Sequence, residues 1–199
     1  MGKGASAVDN SSFFAFAFRM KYINRWGLMK NTRQETLTEH SAETAMIAHA
    51  LAVIGNRLYG RSHNPERIAL FALYHDLSET VTGDLPTPVK YYSGQLLSSF
   101  RDFEDGAKRK LLEKLPDELK ADFSDIVCEN CTPEEHAIIK AADKLSALIK
   151  CIEEVKNGNS EFSKAHESTF AALEKFDLPE VKYFMDKMLP AFYLTLDEL

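Results

Sequence analysis

The sequence predicts an all-α protein, a single-domain helical bundle, and three observations carry that reading. Apolar residues recur at helical spacing through most of the chain. Helix starts are marked by local chemistry: Thr36-Leu-Thr-Glu39 and Thr132-Pro-Glu-Glu135 have capping-box spacing, and Asn64-Pro65 offers an N-cap followed by proline at the first helical position. No period-two alternation lasts beyond a few residues, and there is no repeat or low-complexity segment.

Taken in order, residues 1–12 lack the apolar stretch of a signal peptide and read as a disordered leader. Residues 13–24 have apolar spacing and end at Asn24-Arg25-Trp26; residues 27–36 form a loop by composition. The capping box at Thr36 opens a helix to about Leu58, and Gly60–His63 is a turn. A helix follows Asn64-Pro65 through ERIALFALYHDLSET, residues 66–80. Gly83 and the prolines at 86 and 88 end it and stiffen the next loop. Residues 95–115 form an amphipathic helix with Leu96, Phe100, Phe103, Ala107 and Leu111 on one face, closed by Pro116. After residues 117–130, the second capping box starts a helix to about Lys156, stopped by Gly158. Helices over about 161–175 and 179–192 complete the bundle, so residues 13–199 read as one domain.

At 199 residues the chain can bury a sizeable core, and 45% hydrophobic with 27% charged residues is ordinary for a globular protein. The net charge of −6 and the absence of a basic stripe exclude long nucleic acid as a partner. No apolar run reaches about 18 residues, so no membrane span is predicted. Three cysteines cannot all pair within one chain, which points to a reducing compartment and hence the cytoplasm.

The chemistry concentrates in His40, the doublet His75-Asp76, and Asp143. Two imidazoles and two carboxylates are donors that a divalent transition metal takes while keeping positions for water and substrate. The doublet interrupts an otherwise apolar run over residues 68–77, where a helix has no structural need for either side chain. On a continuous helix His75 and Glu79 share a face, with Asp76 turned by about 100°. His40 falls just inside its helix start. Asp143, among Ile139, Ala142 and Ala147, is expected to be largely buried and to need a cation, either a metal or a lysine such as Lys140 or Lys144.

Other residues carry less. Cys128-x-x-Cys131 has metal or redox spacing without a second pair or a βαβ context. His49 falls on an apolar face with Met46, Ala50 and Val53 and reads as core or interface; His63, His136 and His166 read as turn or surface histidines. Trp26, the sole tryptophan, lies beside Arg25, and an aromatic plate next to a guanidinium suits a nucleotide-like ligand.

The order His40…His75-Asp76…Asp143 resembles the H…HD…D pattern of the HD-domain phosphohydrolases, an all-α superfamily. The resemblance is closest to bacterial 5′-deoxynucleotidases of the YfbR type. It rests on Ile23-Asn-Arg-Trp26, Glu39-His-Ser41, Glu66-Arg-Ile-Ala-Leu70, Tyr74-His-Asp76, Thr82-Gly-Asp-Leu-Pro-Thr-Pro-Val-Lys90, Ala142-Asp143 and Leu196-Asp-Glu198. These blocks span nearly the whole chain; residues 1–12 carry none of them.

The resemblance implies that His40, His75, Asp76 and Asp143 hold one divalent ion, cobalt or manganese, with copper an option. It implies that Arg25 orients the substrate phosphate and Trp26 packs by the sugar against a 2′-hydroxyl. Glu79 is implied in proton transfer, and Asp84, Leu85, Pro86 and Thr87, with His40 and Asp76, in substrate contacts. The implied reaction is hydrolysis of 2′-deoxyribonucleoside 5′-monophosphates with low base selectivity by a homodimer, a metal-bound water being the nucleophile. Two alternatives stand beside it: an HD phosphohydrolase of another nucleotide, a dNTP or an alarmone, and a non-catalytic nucleotide-binding helical dimer. Against the first, the loop offers only Lys90 for extra phosphates.

Overall fold

A computed structural model describes residues 11–90 and 92–199. Residues 1–10 of the expected leader therefore lie outside the described residues. The described chain is helical, and its β-structure is one isolated antiparallel bridge, Asn24 with Thr36. The helices are α1 (Phe13–Ala17), α2 (Leu37–Tyr59), α3 (Pro65–Tyr74), α4 (Glu79–Thr82), α5 (Thr87–Lys90), α6 (Gly94–Leu112), α7 (Asp117–Val127), α8 (Pro133–Lys156), α9 (Ser163–Leu173) and α10 (Pro179–Lys187). Short 3₁₀ turns follow α1 (Phe18–Tyr22) and α10 (Leu189–Tyr193).

The chain divides into two compact units. The first takes the N-terminal segment to Leu28, Glu35–Glu39 and Tyr74–Cys131. Its core gathers Phe13, Ala17, Met20, Leu37, Leu77, Leu111, Leu115 and Val127, with Ile23, Tyr74 and Phe123 against it. Burying an aliphatic or aromatic side chain of this kind contributes roughly 1.5–3 kcal/mol. The second unit takes Met29–Gln34, His40–Leu73 and Thr132–Leu199. Along α8 the buried face is mostly apolar, with Ile138, Ala141, Ala142, Leu145, Leu148 and Ile152, and also carries Glu135, Ser146, Lys150 and Glu154.

The local signals at the helix starts hold. Thr36 Oγ1 accepts from Glu39 N at 3.3 Å, while Glu39 Oε2 accepts from Thr36 N at 2.8 Å. Thr132 and Glu135 do the same for α8, and Asn64 Oδ1 caps α3 through Arg67 N. Gly83 and Gly158 stop helices at φ 76° and 79°, a left-handed region where a Cβ is disfavoured.

Several expectations change. Residues 13–24 divide into one α turn and one 3₁₀ turn. The segment 117–130, with no predicted element, contains α7, started by Pro116 and two acidic residues in its first turn. Leu96 and Phe103 are 37% and 51% exposed, so the buried stripe of α6 narrows to Phe100, Ala107 and Leu111. His49 is exposed, with Met46 beside it at 66%, because that face of α2 turns away from the packed stripe of Ala48, Leu51 and Ala52.

Candidate active site

α3 ends at Tyr74, so the His-Asp doublet sits in a tight turn rather than within a continuous helix. The bonds there run i→i+3: Leu77 N to Tyr74 O at 3.0 Å, Glu79 N to Asp76 O at 3.0 Å, and Thr80 N to Leu77 O at 3.1 Å. At about three residues per turn, i and i+3 eclipse and i+4 does not. The predicted His75–Glu79 face is therefore corrected: Glu79 lines up with Asp76. Within the doublet, His75 Nε2 lies 3.2 Å from Asp76 Oδ2.

The electrostatics of the first unit follow from that turn. Burial pushes the Glu79 carboxyl up to about 10, and the charges of Asp76 and then Asp84 add to the shift. Arg25 and Lys90 pull the other way and lose. Glu79 Oε2 is buried without a hydrogen-bond partner. A carboxyl in this state holds its proton near neutrality or awaits a cation. Lys90 is tied to Glu104 at 3.0 Å. Asp84, Leu85 and Pro86 are half-buried in the loop between α4 and α5, and Thr87 opens α5.

Arg25 and Trp26 are set by the chain crossing at the bridge. Arg25 N donates to Glu35 O at 2.9 Å, and Leu37 N donates to Ile23 O at 2.9 Å. Glu35, only 3% exposed, accepts from Arg25 Nη1 at 3.0 Å and from Trp26 Nε1 at 2.9 Å. No sequence signal marks Glu35; it sits in a polar stretch whose partners lie nine and ten residues away.

In the second unit, His40 lies in the first turn of α2 and is fully buried. Its Nε2 lies 3.1 Å from Asp143 Oδ1 on α8, and its Nδ1 lies 3.1 Å from Ser146 Oγ on the same helix. Asp143 keeps 29% of its side-chain surface exposed, so it is largely buried as expected, and its carboxylate meets an imidazole. Ser146, a lone serine one turn on from Asp143, carries no metal signal in the sequence.

These donors suit a divalent ion. In each pair the two ligand atoms stand close to the separation of donors at right angles about an ion roughly 2.1 Å from each. An outer hydrogen bond such as Ser146 with His40 Nδ1 orients the imidazole and leaves the other nitrogen for a metal. Within the second unit, His40 and Asp143 form a metal-type donor pair. A cavity of about 350 Å³ lined by Thr32, Arg33, Lys150, Glu153, Glu154, Lys156 and Asn157 includes none of these residues.

Comparison with solved structures shows the fold. The chain shares its fold with an HD-domain phosphohydrolase from Listeria innocua, at TM-score 0.80 and 22% identity over 91% of this chain and 88% of that one. It also matches the cyanophage S-2L HD phosphohydrolase DatZ, solved with dA and one catalytic Zn²⁺, at TM-score 0.60 and 20% identity over 93% and 96% of the two chains. The fold is thus the all-helical HD type, and the protein is a metal-binding hydrolase of that class. More particularly, the family described as 5′-deoxynucleotidase YfbR-like matches residues 12–192, and the chain belongs to it. The 5′-deoxynucleotidase YfbR of Salmonella paratyphi B is 50% identical over 193 residues, covering 96% of this chain and 97% of the relative, and that of Salmonella newport aligns equally well.

Proposed function

We propose that this enzyme hydrolyses 2′-deoxyribonucleoside 5′-monophosphates to deoxynucleoside and phosphate, with selectivity against ribonucleotides and little base selectivity. The observation that carries the reading is the His40–Asp143 pair at 3.1 Å, backed by Ser146, in a chain 50% identical to 5′-deoxynucleotidases. The proposed ligands of one divalent ion are His40, His75, Asp76 and Asp143, with cobalt or manganese the expected metal. Zn²⁺ and dA in the cyanophage neighbour support a metal and a deoxynucleoside on this fold. When bound, such an ion supplies Lewis-acid polarisation of a phosphate oxygen and a water of lowered pKa.

The chain's own residues do the remaining work. The Arg25 guanidinium, anchored through Nη1, presents a planar fork to the phosphate oxygens and stabilises charge gathering on them. Glu79 exchanges a proton with the reacting oxygens; its raised pKa suits a group that donates near neutrality. Trp26 packs against the sugar at C2′, where an added hydroxyl would clash. We assign substrate contacts to Asp84, Leu85, Pro86 and Thr87, with Asp84 towards the sugar, and to His40 and Asp76. We place the enzyme in the cytoplasm as a homodimer; no helix among the described residues is long and apolar enough to cross a membrane.

Phosphate release from dAMP, AMP and dATP, with cobalt or manganese and with EDTA, tests the reading. Turnover of dAMP with metal, weak turnover of AMP and none with EDTA is expected. Equal kcat/KM for dAMP and AMP overturns the sugar selectivity, and preferred release from dATP overturns the substrate class.

A further inference from the structure

We infer that Glu35 is a positioning residue that sets sugar selectivity and phosphate recognition together, by clamping Arg25 and Trp26 on a single carboxylate oxygen. Both contacts end on Oε2, at 3.0 Å from Arg25 Nη1 and 2.9 Å from Trp26 Nε1. The inference rests on the proposed roles of Arg25 and Trp26 and extends them to a residue assigned no role in them.

Three features of the first unit carry it. Glu35 is 3% exposed, and a carboxylate is kept buried only where its partners compensate the lost hydration. Here those partners are a guanidinium and an indole N–H from adjacent residues. Second, Trp26 has φ 59°, a left-handed conformation that a bulky non-glycine residue adopts only when its surroundings impose it. The Nε1 bond to Glu35 and the backbone bond from Arg25 N to Glu35 O hold this stretch in that conformation. Third, Arg25 acts on Glu79 through space while its guanidinium pairs with Glu35 at 3.0 Å. Glu35 therefore holds the guanidinium at a fixed place. The phosphate donor and the wall beside C2′ are thus one rigid body, and loosening the clamp affects both.

The test compares Glu35→Ala and Glu35→Gln with the unsubstituted enzyme, in kcat and KM for dAMP and AMP and in the fluorescence anisotropy of Trp26, the sole tryptophan. For Glu35→Ala we expect the dAMP-over-AMP preference to fall by about tenfold or more, KM for both to rise, and anisotropy to drop. Glu35→Gln keeps an acceptor for the indole N–H but no charge for Arg25; it should retain the preference and the anisotropy while KM for both rises. A helical Glu35→Ala variant with unchanged preference and anisotropy overturns the inference. If that variant does not fold, Glu35→Gln decides, and unchanged KM values there overturn it. Failure of the underlying reading looks different: the unsubstituted enzyme would itself turn over dAMP and AMP equally.

Discussion

His40 and Asp143, 103 residues apart in sequence, meet Nε2 to Oδ1 at 3.1 Å between two helices, each started by its own capping box. The imidazole is wholly buried while the carboxylate keeps a solvent-facing side. That asymmetry suits a ligand pair with an open approach for water and substrate.

Asp143→Ala should lose bound metal and at least roughly a hundredfold in phosphate release, since even outer-shell changes cost 10–100-fold. Helicity by circular dichroism should persist. Metal analysis by mass spectrometry decides: full occupancy in the variant removes Asp143 from the ligand set.

Ser146→Ala should weaken metal affinity by about tenfold while leaving kcat at saturating metal within a few-fold of normal. The hydroxyl touches His40 Nδ1 at 3.1 Å and orients the ring. A metal titration followed by activity reads this, and an unshifted midpoint argues that the serine only fills space.

For Arg25→Ala, turnover should fall by at least about a hundredfold with metal occupancy intact, because a donor to transition-state charge is removed without touching a ligand. Kinetics with dAMP check it; unaltered kcat and KM exclude the phosphate role.

Glu154 sets an acid limit on stability. It is 1% exposed, and burial alone would raise its pKa; hydrogen bonds from Lys150, Asn159 and the Thr32 backbone and hydroxyl instead hold it down to about 2 from an ordinary 4.5. A depressed folded-state pKa gives stability that is fully present above the unfolded value and is lost as pH falls from about 4.5 towards 2. The contribution is on the order of 3 kcal/mol. Urea unfolding between pH 6 and 2.5 should show this loss, and Glu154→Gln should flatten it, although leaving Lys150 buried without its anion lowers stability overall. An equally steep acid limb in the variant points to other carboxylates.

Much of this was legible in the chain. Capping boxes, Asn64-Pro65 and the stopping glycines report relations over three or four residues, so they survive folding nearly unchanged. The His-Asp doublet was legible as chemistry but not as geometry: it was placed on a continuous helix, and the 3₁₀-like turn after Tyr74 aligns Glu79 with Asp76 instead. α7 carries Leu119, Phe123 and Val127 at i, i+4 and i+8, the spacing of an amphipathic helix, but only Val127 is buried, so little of that face reports on the core.

By itself the sequence determined which side chains are available, that the scaffold is helical, and where most helices start, since backbone propensity and capping act locally. Only the tertiary structure decided that His40 finds Ser146 106 residues away, that Glu35 grips two neighbours at once, and that Lys150 and Glu154 bury their charges over the Thr32 loop. Such contacts depend on how apolar faces pack, and packing brings together residues whose sequence separation carries no trace of their distance in space.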